Sequence, residues 1–162
     1  MPTKKRVQDT HISPKQFRDL HLALLTIVGV MNRPRNDQAM VRDAGIPLDR
    51  ALFPLLVGIE RLGPIGVGDL AERVGRDYTT VSRQVAKLES LGLVSRQAGA
   101  NDRRVTEAIV TPKGKTMTDA VDRTRERRGR EIFATWSQRD FDDLVRLICR
   151  LAEEMEHHTS GA

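Results

Sequence analysis

The chain has 162 residues, of which 39% are hydrophobic and 30% are charged. This length corresponds to one domain, and the apolar share is sufficient for a core, which favours a folded chain over a disordered one. Only six residues are aromatic (four Phe, one Trp and one Tyr), and the composition favours a helix-rich protein. The formal net charge is +5 and the sequence pI is about 9.9. This basic surplus indicates a polyanionic or acidic partner.

The single cysteine, Cys149, excludes an internal disulfide framework and a zinc site built from several cysteines. It also fits a reducing compartment, so we expect a cytoplasmic protein. The longest apolar stretch, residues 22–31, is about half as long as a membrane span requires, and the N-terminus lacks the apolar segment of an export signal. The sequence has no nucleotide-binding loop, zinc-protease motif or serine-hydrolase motif. We therefore expect no enzyme activity, no cofactor and no metal ion.

Apolar residues recur at helical spacing along most of the chain, and prolines or capping residues mark the helix starts. Ser13-Pro14 is one such start, and Asp49 is predicted to cap another helix. Residues 1–12 have no such period and are predicted to form a flexible arm. The predicted helices cover residues 14–32, 34–43, 50–62, 68–74, 77–91, 112–135 and 137–157.

Strand-like alternation replaces the helical period after Gly92. It runs through residues 93–97 and 105–110, and the turn-rich segment 98–102 separates the two runs. This pattern predicts a β-hairpin. The predicted fold class is therefore mainly α with a small β-hairpin.

The helices predicted over residues 68–74 and 77–91 are separated only by Gly75-Arg76. Two helices joined by such a tight turn are typical of DNA-binding proteins. A glycine suits the left-handed residue of the turn, and the small side chain of Ala71 allows the two helices to approach closely. The segment therefore predicts a helix-turn-helix.

The second helix of this pair has an apolar face formed by Val81, Val85 and Leu88, at positions i, i+4 and i+7. Its opposite face has no Leu, Ile or Phe. Arg and Gln side chains can bind base edges, Ser and Thr can bind bases or phosphates, and arginines at a hairpin tip can enter a narrow minor groove. The predicted DNA-contacting residues are Tyr78, Thr79, Thr80, Ser82, Arg83, Gln84 and Lys87 on the helix, Arg96 on the first strand of the hairpin, and Asp102, Arg103 and Arg104 at its tip.

Four segments of the chain together resemble the winged helix-turn-helix of the MarR (multiple antibiotic resistance regulator) family. They are IGVGDLAERVG (residues 65–75), TTVSRQVAKLESLGLV (79–94), NDRR (101–104) and VTPKG (110–114). The resemblance spans about residues 50–157. It implies a single domain over residues 13–157, with the winged helix-turn-helix at 49–114 and dimerisation helices at 13–48 and 115–157.

The resemblance also implies a homodimer that binds a pseudo-palindromic operator in double-stranded DNA. The recognition helix then falls on residues 77–91 and the Asp-x-Arg motif of the wing on Asp102 and Arg104. Independently of the family, the last predicted helix carries an apolar band wider than a small domain covers alone, which favours a partner subunit. The residues assigned to the dimer interface are Phe17, Leu20, Leu24, Phe141, Leu144, Ile148 and Leu151.

By resemblance, the function is that of a transcriptional regulator, more often a repressor than an activator, which a small aromatic or phenolic effector releases from DNA. An alternative is a sequence-indifferent or architectural DNA-binding protein. The low aromatic content argues against a stacking platform for single strands. Competition by random duplex DNA distinguishes the specific regulator from the indifferent binder.

Overall fold

The computed structural model describes residues 11–160, so most of the predicted arm, residues 1–10, lies outside the described residues. The described chain forms seven helices and three strands. In chain order they are α1 (Pro14–Met31), α2 (Pro34–Ala44), α3 (Phe53–Leu62), β1 (Ile65–Gly66), α4 (Val67–Val74), α5 (Tyr78–Ser90), β2 (Val94–Ala98), β3 (Thr106–Val110), α6 (Pro112–Ile132) and α7 (Gln138–Ser160). The mainly α fold class with a small sheet is confirmed.

Local chemistry explains where most of these helices begin and end. Ser13 Oγ accepts a hydrogen bond from the Gln16 backbone N–H, and the Ser13 N–H donates to Gln16 Oε1 at 2.8 Å, so α1 starts with a reciprocal capping box. The Thr111 side chain caps α6 by accepting from the Gly114 N–H at 3.1 Å. At the end of α2, Gly45 has φ = 65°, a left-handed conformation that favours glycine.

The start of the third helix differs from the sequence prediction. It begins at Phe53, three residues later than expected, because the Asp49 carboxylate accepts from the Ala51 N–H at 2.6 Å and closes a turn. The backbone carbonyl of Asp49 then accepts from the N–H groups of Leu52 and Phe53. Asp49 therefore caps a turn that leads into α3, and the prediction that it caps the helix itself is wrong.

The sheet has one strand more than the predicted hairpin. Strand β3 lies in the centre, between β1 and β2, and both pairs are antiparallel. Ala108 on β3 faces Ile65 on one side and Arg96 on the other. β1 is only two residues long. It lies between α3 and α4, and its pairing with β3 joins the hairpin to these helices.

Strands β2 and β3 with the loop 99–105 form the wing. Gly99 lies at a close backbone approach in this loop, since a Cβ atom there would be 2.7 Å from the Asp102 carbonyl oxygen. Its N–H donates to the Val105 carbonyl at 2.8 Å and closes the base of the loop. Only a residue without a side chain fits this position without movement of the backbone.

The hydrophobic core lies where α3, α4 and α5 pack together and against the sheet. Its fully buried side chains come from every element of this region, and α6 joins through Val121. The largest of them are Leu55, Leu56, Ile59, Leu70, Val81, Val85, Leu88, Leu93, Val94 and Val121. The core therefore holds the helix-turn-helix and the wing as one packed unit.

The first and last helices lie outside this core. No residue of α1 is buried, although α1 carries large apolar side chains such as Phe17 and Leu25, which are 55% and 56% exposed. Extensive packing joins α2 to α6 and α3, whereas neither α1 nor α7 makes a comparable contact. Exposed apolar surface of this extent marks a surface that another molecule covers.

Helices α6 and α7 meet at a cluster that we call the aromatic corner, formed by Phe133, Trp136 and Phe141. The rings of Trp136 and Phe141 pack edge-on against Phe133, with centroid distances of 5.2 and 4.9 Å. A cavity of about 570 Å³ lies beside these rings. The corner contains half of the six aromatic residues of the chain and fixes the turn between two long helices.

None of the helices within residues 11–160 combines the length and the apolar composition needed to cross a bilayer.

Candidate nucleic-acid interface

Helices α4 and α5 form the predicted helix-turn-helix. Gly75 ends α4 with φ = 64°, and its N–H and that of Arg76 donate to the Glu72 and Ala71 carbonyls. This pattern satisfies the last carbonyls of α4 and turns the chain within two residues. Ala71 is only 4% exposed and lies in the core, as its small size predicts.

The core fixes which face of α5 points to solvent. Val81, Val85 and Leu88 are fully buried, as their spacing predicts. The opposite face carries exposed Thr79, Arg83 and Lys87, and half-buried Thr80, Ser82 and Gln84 lie at its flanks. Tyr78, three residues before Val81, is 61% exposed at the first turn of the helix. An exposed row of hydroxyl, guanidinium and ammonium groups on a rigid helix is suited to a major groove.

Asp77 caps the N-terminus of α5. Its Oδ1 accepts from the Thr80 N–H at 2.8 Å. The hydrogen bonds from Thr80 hold the pKa of this carboxyl below its usual value, with a smaller contribution from the positive charge of Arg83. The charged form of Asp77 thus fixes the end of the helix that the fold presents to solvent.

Because the pKa of Asp77 is lower in the folded protein than in the unfolded chain, the charged carboxylate stabilises the fold above the unfolded pKa and this contribution is lost as the pH falls through the folded pKa. In Asp77→Asn the cap hydrogen bond is retained without the charge. We expect the melting temperature of wild type to exceed that of Asp77→Asn near neutral pH, and the difference to shrink below about pH 4. Thermal unfolding followed by circular dichroism across this range measures it, and a difference that does not change with pH contradicts the assignment.

Gln84 and Arg96, two of the predicted DNA contacts, are bound to the protein itself. Gln84 Oε1 accepts from Arg76 Nη1 at 3.1 Å, and the same Nη1 donates to the Ala51 carbonyl at 2.8 Å. Arg96 Nη2 donates to the Ser82 carbonyl at 3.4 Å. Sequence analysis did not single out Arg76 as the partner of Gln84, since the sequence does not reveal that the Arg76 side chain reaches Ala51, 25 residues earlier.

The tip of the wing holds the other basic residues of the site. Asp102 Oδ1 accepts from the Arg104 backbone N–H at 2.9 Å, and the Asp102 carbonyl accepts from the Val105 N–H at 3.0 Å. These two bonds fold the tip around Asp102, while the side chains of Arg103 and Arg104 are exposed. Among the described residues, neither guanidinium has a carboxylate within ion-pair distance. The wing therefore presents two free cations on the domain that carries α5.

The residues assigned to the dimer interface lie on α1, on α7 and at the aromatic corner. Phe17, Leu20 and Ile148 are exposed, at 55%, 47% and 47%. The remaining four, Leu24, Phe141, Leu144 and Leu151, are half-buried within the single chain.

Helix α5 packs one face into the core and exposes a polar face. It follows a tight turn after α4 and precedes a basic wing. These features together define a winged helix-turn-helix DNA-binding domain. The model of the MarR family matches residues 48–106, which contain α3 to β2 and the wing tip. The chain is 32% identical over 104 residues, 64% of its length, to the HTH-type transcriptional regulator YxaD of Bacillus subtilis, of which it covers 73%. The chain therefore belongs to the MarR family of transcriptional regulators.

Solved structures share this fold over nearly the whole chain. A MarR family protein from Bacillus stearothermophilus superposes with a TM-score of 0.69 at 20% identity, covering 90% of this chain and 99% of that one. A crystal structure of MarR gives a TM-score of 0.65 at 24% identity, with coverages of 95% and 98%. The family model matches only residues 48–106, whereas these two structures cover 90% and 95% of the chain. The likeness in fold therefore extends to the outer helices α1 and α7.

Proposed function

We propose that this protein is a dimeric repressor that binds a specific operator sequence in double-stranded DNA. The observation that carries the proposal is the exposed polar face of α5, which lies opposite the fully buried Val81, Val85 and Leu88. The proposed base and phosphate contacts on α5 are Tyr78, Thr79, Thr80, Ser82, Arg83 and Lys87. Arg83 and Lys87 project from successive turns, so one helix can bind both a base edge and the backbone.

The wing supplies the second part of the proposed contact. Arg103 and Arg104 are exposed at a tip that Asp102 folds through its hydrogen bond to the Arg104 N–H. An arginine held on a hairpin in this way suits the negative potential of a narrow minor groove, because its guanidinium is positively charged and forms no ion pair among the described residues. Recognition then combines base contacts from α5 with shape readout from the wing.

Dimerisation is supported by the apolar surface of α1 and α7, which the core of a single chain leaves uncovered. In a two-fold symmetric dimer, two copies of α5 enter successive major grooves, about 34 Å apart. An operator of this kind is pseudo-palindromic. Repression follows when the dimer occupies an operator that overlaps a promoter.

Relief by an effector is part of the same proposal. A small aromatic or phenolic ligand releases the operator only if it binds more tightly to a conformation in which the two α5 helices are wrongly spaced. Since both helices must dock together, a small change in their separation lowers affinity strongly.

The test is a fluorescence-anisotropy titration on the intergenic DNA beside the protein's own gene, run at near-physiological salt. A shuffled duplex of the same composition is the matched control. For a specific regulator we expect a preference of about 10³-fold or more for the intergenic duplex. Equal and steeply salt-dependent binding to both duplexes supports the alternative, a sequence-indifferent DNA-binding protein.

A further inference from the structure

Arg96 joins the wing to the recognition helix at two points. It lies on β2, with its side chain 29% exposed, and α5 packs against this strand. Its Nη2 donates to the Ser82 carbonyl at 3.4 Å, and its Nε lies 3.3 Å from Glu89 Oε2. Nε is shielded from solvent and its N–H is not aimed at an acceptor, so the Glu89 contact is an ion pair rather than a hydrogen bond.

Ser82 and Glu89 are seven residues apart on α5, about two helical turns, and the guanidinium contacts the backbone of the first and the side chain of the second. A single guanidinium that holds both points restricts the rotation of α5 relative to β2. In the sheet, Arg96 on β2 is the cross-strand partner of Ala108 on β3. Ala108 is fully buried and also pairs with Ile65 of β1. The edge strand that carries Arg96 is therefore paired with the central strand β3 at a residue of the hydrophobic core.

We propose that Arg96 is a positioning residue that sets the orientation of α5 relative to the wing through Glu89, rather than a DNA contact. The inference rests on the proposed function. Its consequence is that the base contacts from α5 and the minor-groove contact from the wing keep a fixed spacing. In this role Glu89 matters as much as Arg96, although a carboxylate close to DNA repels phosphates.

The sign of the Glu89→Gln effect separates the two roles. If Arg96 binds a phosphate, removal of Glu89 frees the guanidinium and tightens operator binding. If Arg96 positions α5, the same change loosens the helix and weakens binding. We expect Glu89→Gln and Arg96→Gln each to weaken operator affinity roughly 3- to 30-fold, and the double variant to be no weaker than either single variant.

Salt dependence gives a second readout. In a titration of log Kd against log salt concentration, loss of a phosphate contact lowers the slope by about 0.9. We expect Arg96→Gln to keep the wild-type slope. Glu72→Gln is the matched control, because it removes an exposed carboxylate from α4 in the same domain, and we expect it to leave affinity unchanged or slightly tighter. Tighter binding by Glu89→Gln, or a reduced slope in Arg96→Gln, overturns the proposal.

A DNA-free measurement keeps this test separate from that of the proposed function. In hydrogen exchange of the isolated protein, we expect faster exchange of backbone amides across residues 82–89 in both Arg96→Gln and Glu89→Gln, and wild-type exchange there in Glu72→Gln. Unchanged exchange in the first two variants overturns the positioning role even if the wild-type protein binds its operator. If the wild-type protein prefers no operator but the two variants exchange faster, the regulator function is contradicted. The coupling between the wing and α5 is then still established.

Discussion

Arg104→Ala is expected to weaken operator binding by about 1 to 3 kcal/mol, or roughly 5- to 150-fold. The reason is that this guanidinium is exposed at the tip of the wing without a carboxylate partner among the described residues. The Arg104 backbone N–H, which donates to Asp102, remains in the variant, so the tip keeps its fold and the change isolates the side chain. Anisotropy titrations on the operator duplex measure the loss.

Arg123→Ala is the matched control for this experiment, since Arg123 is an exposed arginine on α6, outside the wing and α5. It removes the same charge and is expected to change operator affinity less than about twofold. If both variants bind equally to wild type, the wing takes no part in recognition. If both lose affinity equally, net charge rather than a groove contact determines binding.

The largest effect is expected from Ile148→Asp, which places a carboxylate in the apolar band of α7. Ile148 is 47% exposed in the single chain, so its replacement leaves the core intact. In a dimer the same carboxylate is buried without a partner, and the interface dissociates. We expect the variant to elute with the 18.2 kDa mass of one chain and to lose about 10²- to 10⁴-fold in operator affinity, because each half-site then binds alone.

Size-exclusion chromatography with light scattering gives the mass, and circular dichroism verifies that the monomer is folded. Arg150→Asp introduces the same side chain on the polar side of α7 and is expected to remain dimeric with normal operator affinity. A dimeric Ile148→Asp removes this part of α7 from the interface. A monomeric wild-type protein that binds its operator tightly contradicts the dimer as a whole.

Sequence reasoning succeeded where one short segment determines the structure. The helix start at Ser13-Pro14 and the left-handed Gly75 each depend on residues within a few positions of one another. The buried face of α5 followed from a spacing of three and four residues. These features were predicted because the bonds that form them are local.

The features that sequence analysis missed depend on contacts between distant segments. Strand β1 has only two residues and exists because Ala108, 43 positions later in the chain, supplies its partner. The helix expected at residue 50 starts at Phe53 because Asp49 is used in a turn. Likewise, sequence analysis did not reveal that Arg96 contacts Glu89 and Ser82, because these contacts form only in the folded chain.

The aromatic corner also gives the protein an optical probe. Trp136 is the sole tryptophan of the chain and is 47% exposed beside Phe133. The 21 residues of α6 separate the corner from the base of the wing by about 30 Å, so the indole lies far from the proposed DNA contacts. Its intrinsic emission therefore reports on α6 and α7 without a dye, while a labelled duplex reports on α5 and the wing. Changes at α6 and α7 can thus be followed separately from binding of the labelled duplex in one sample.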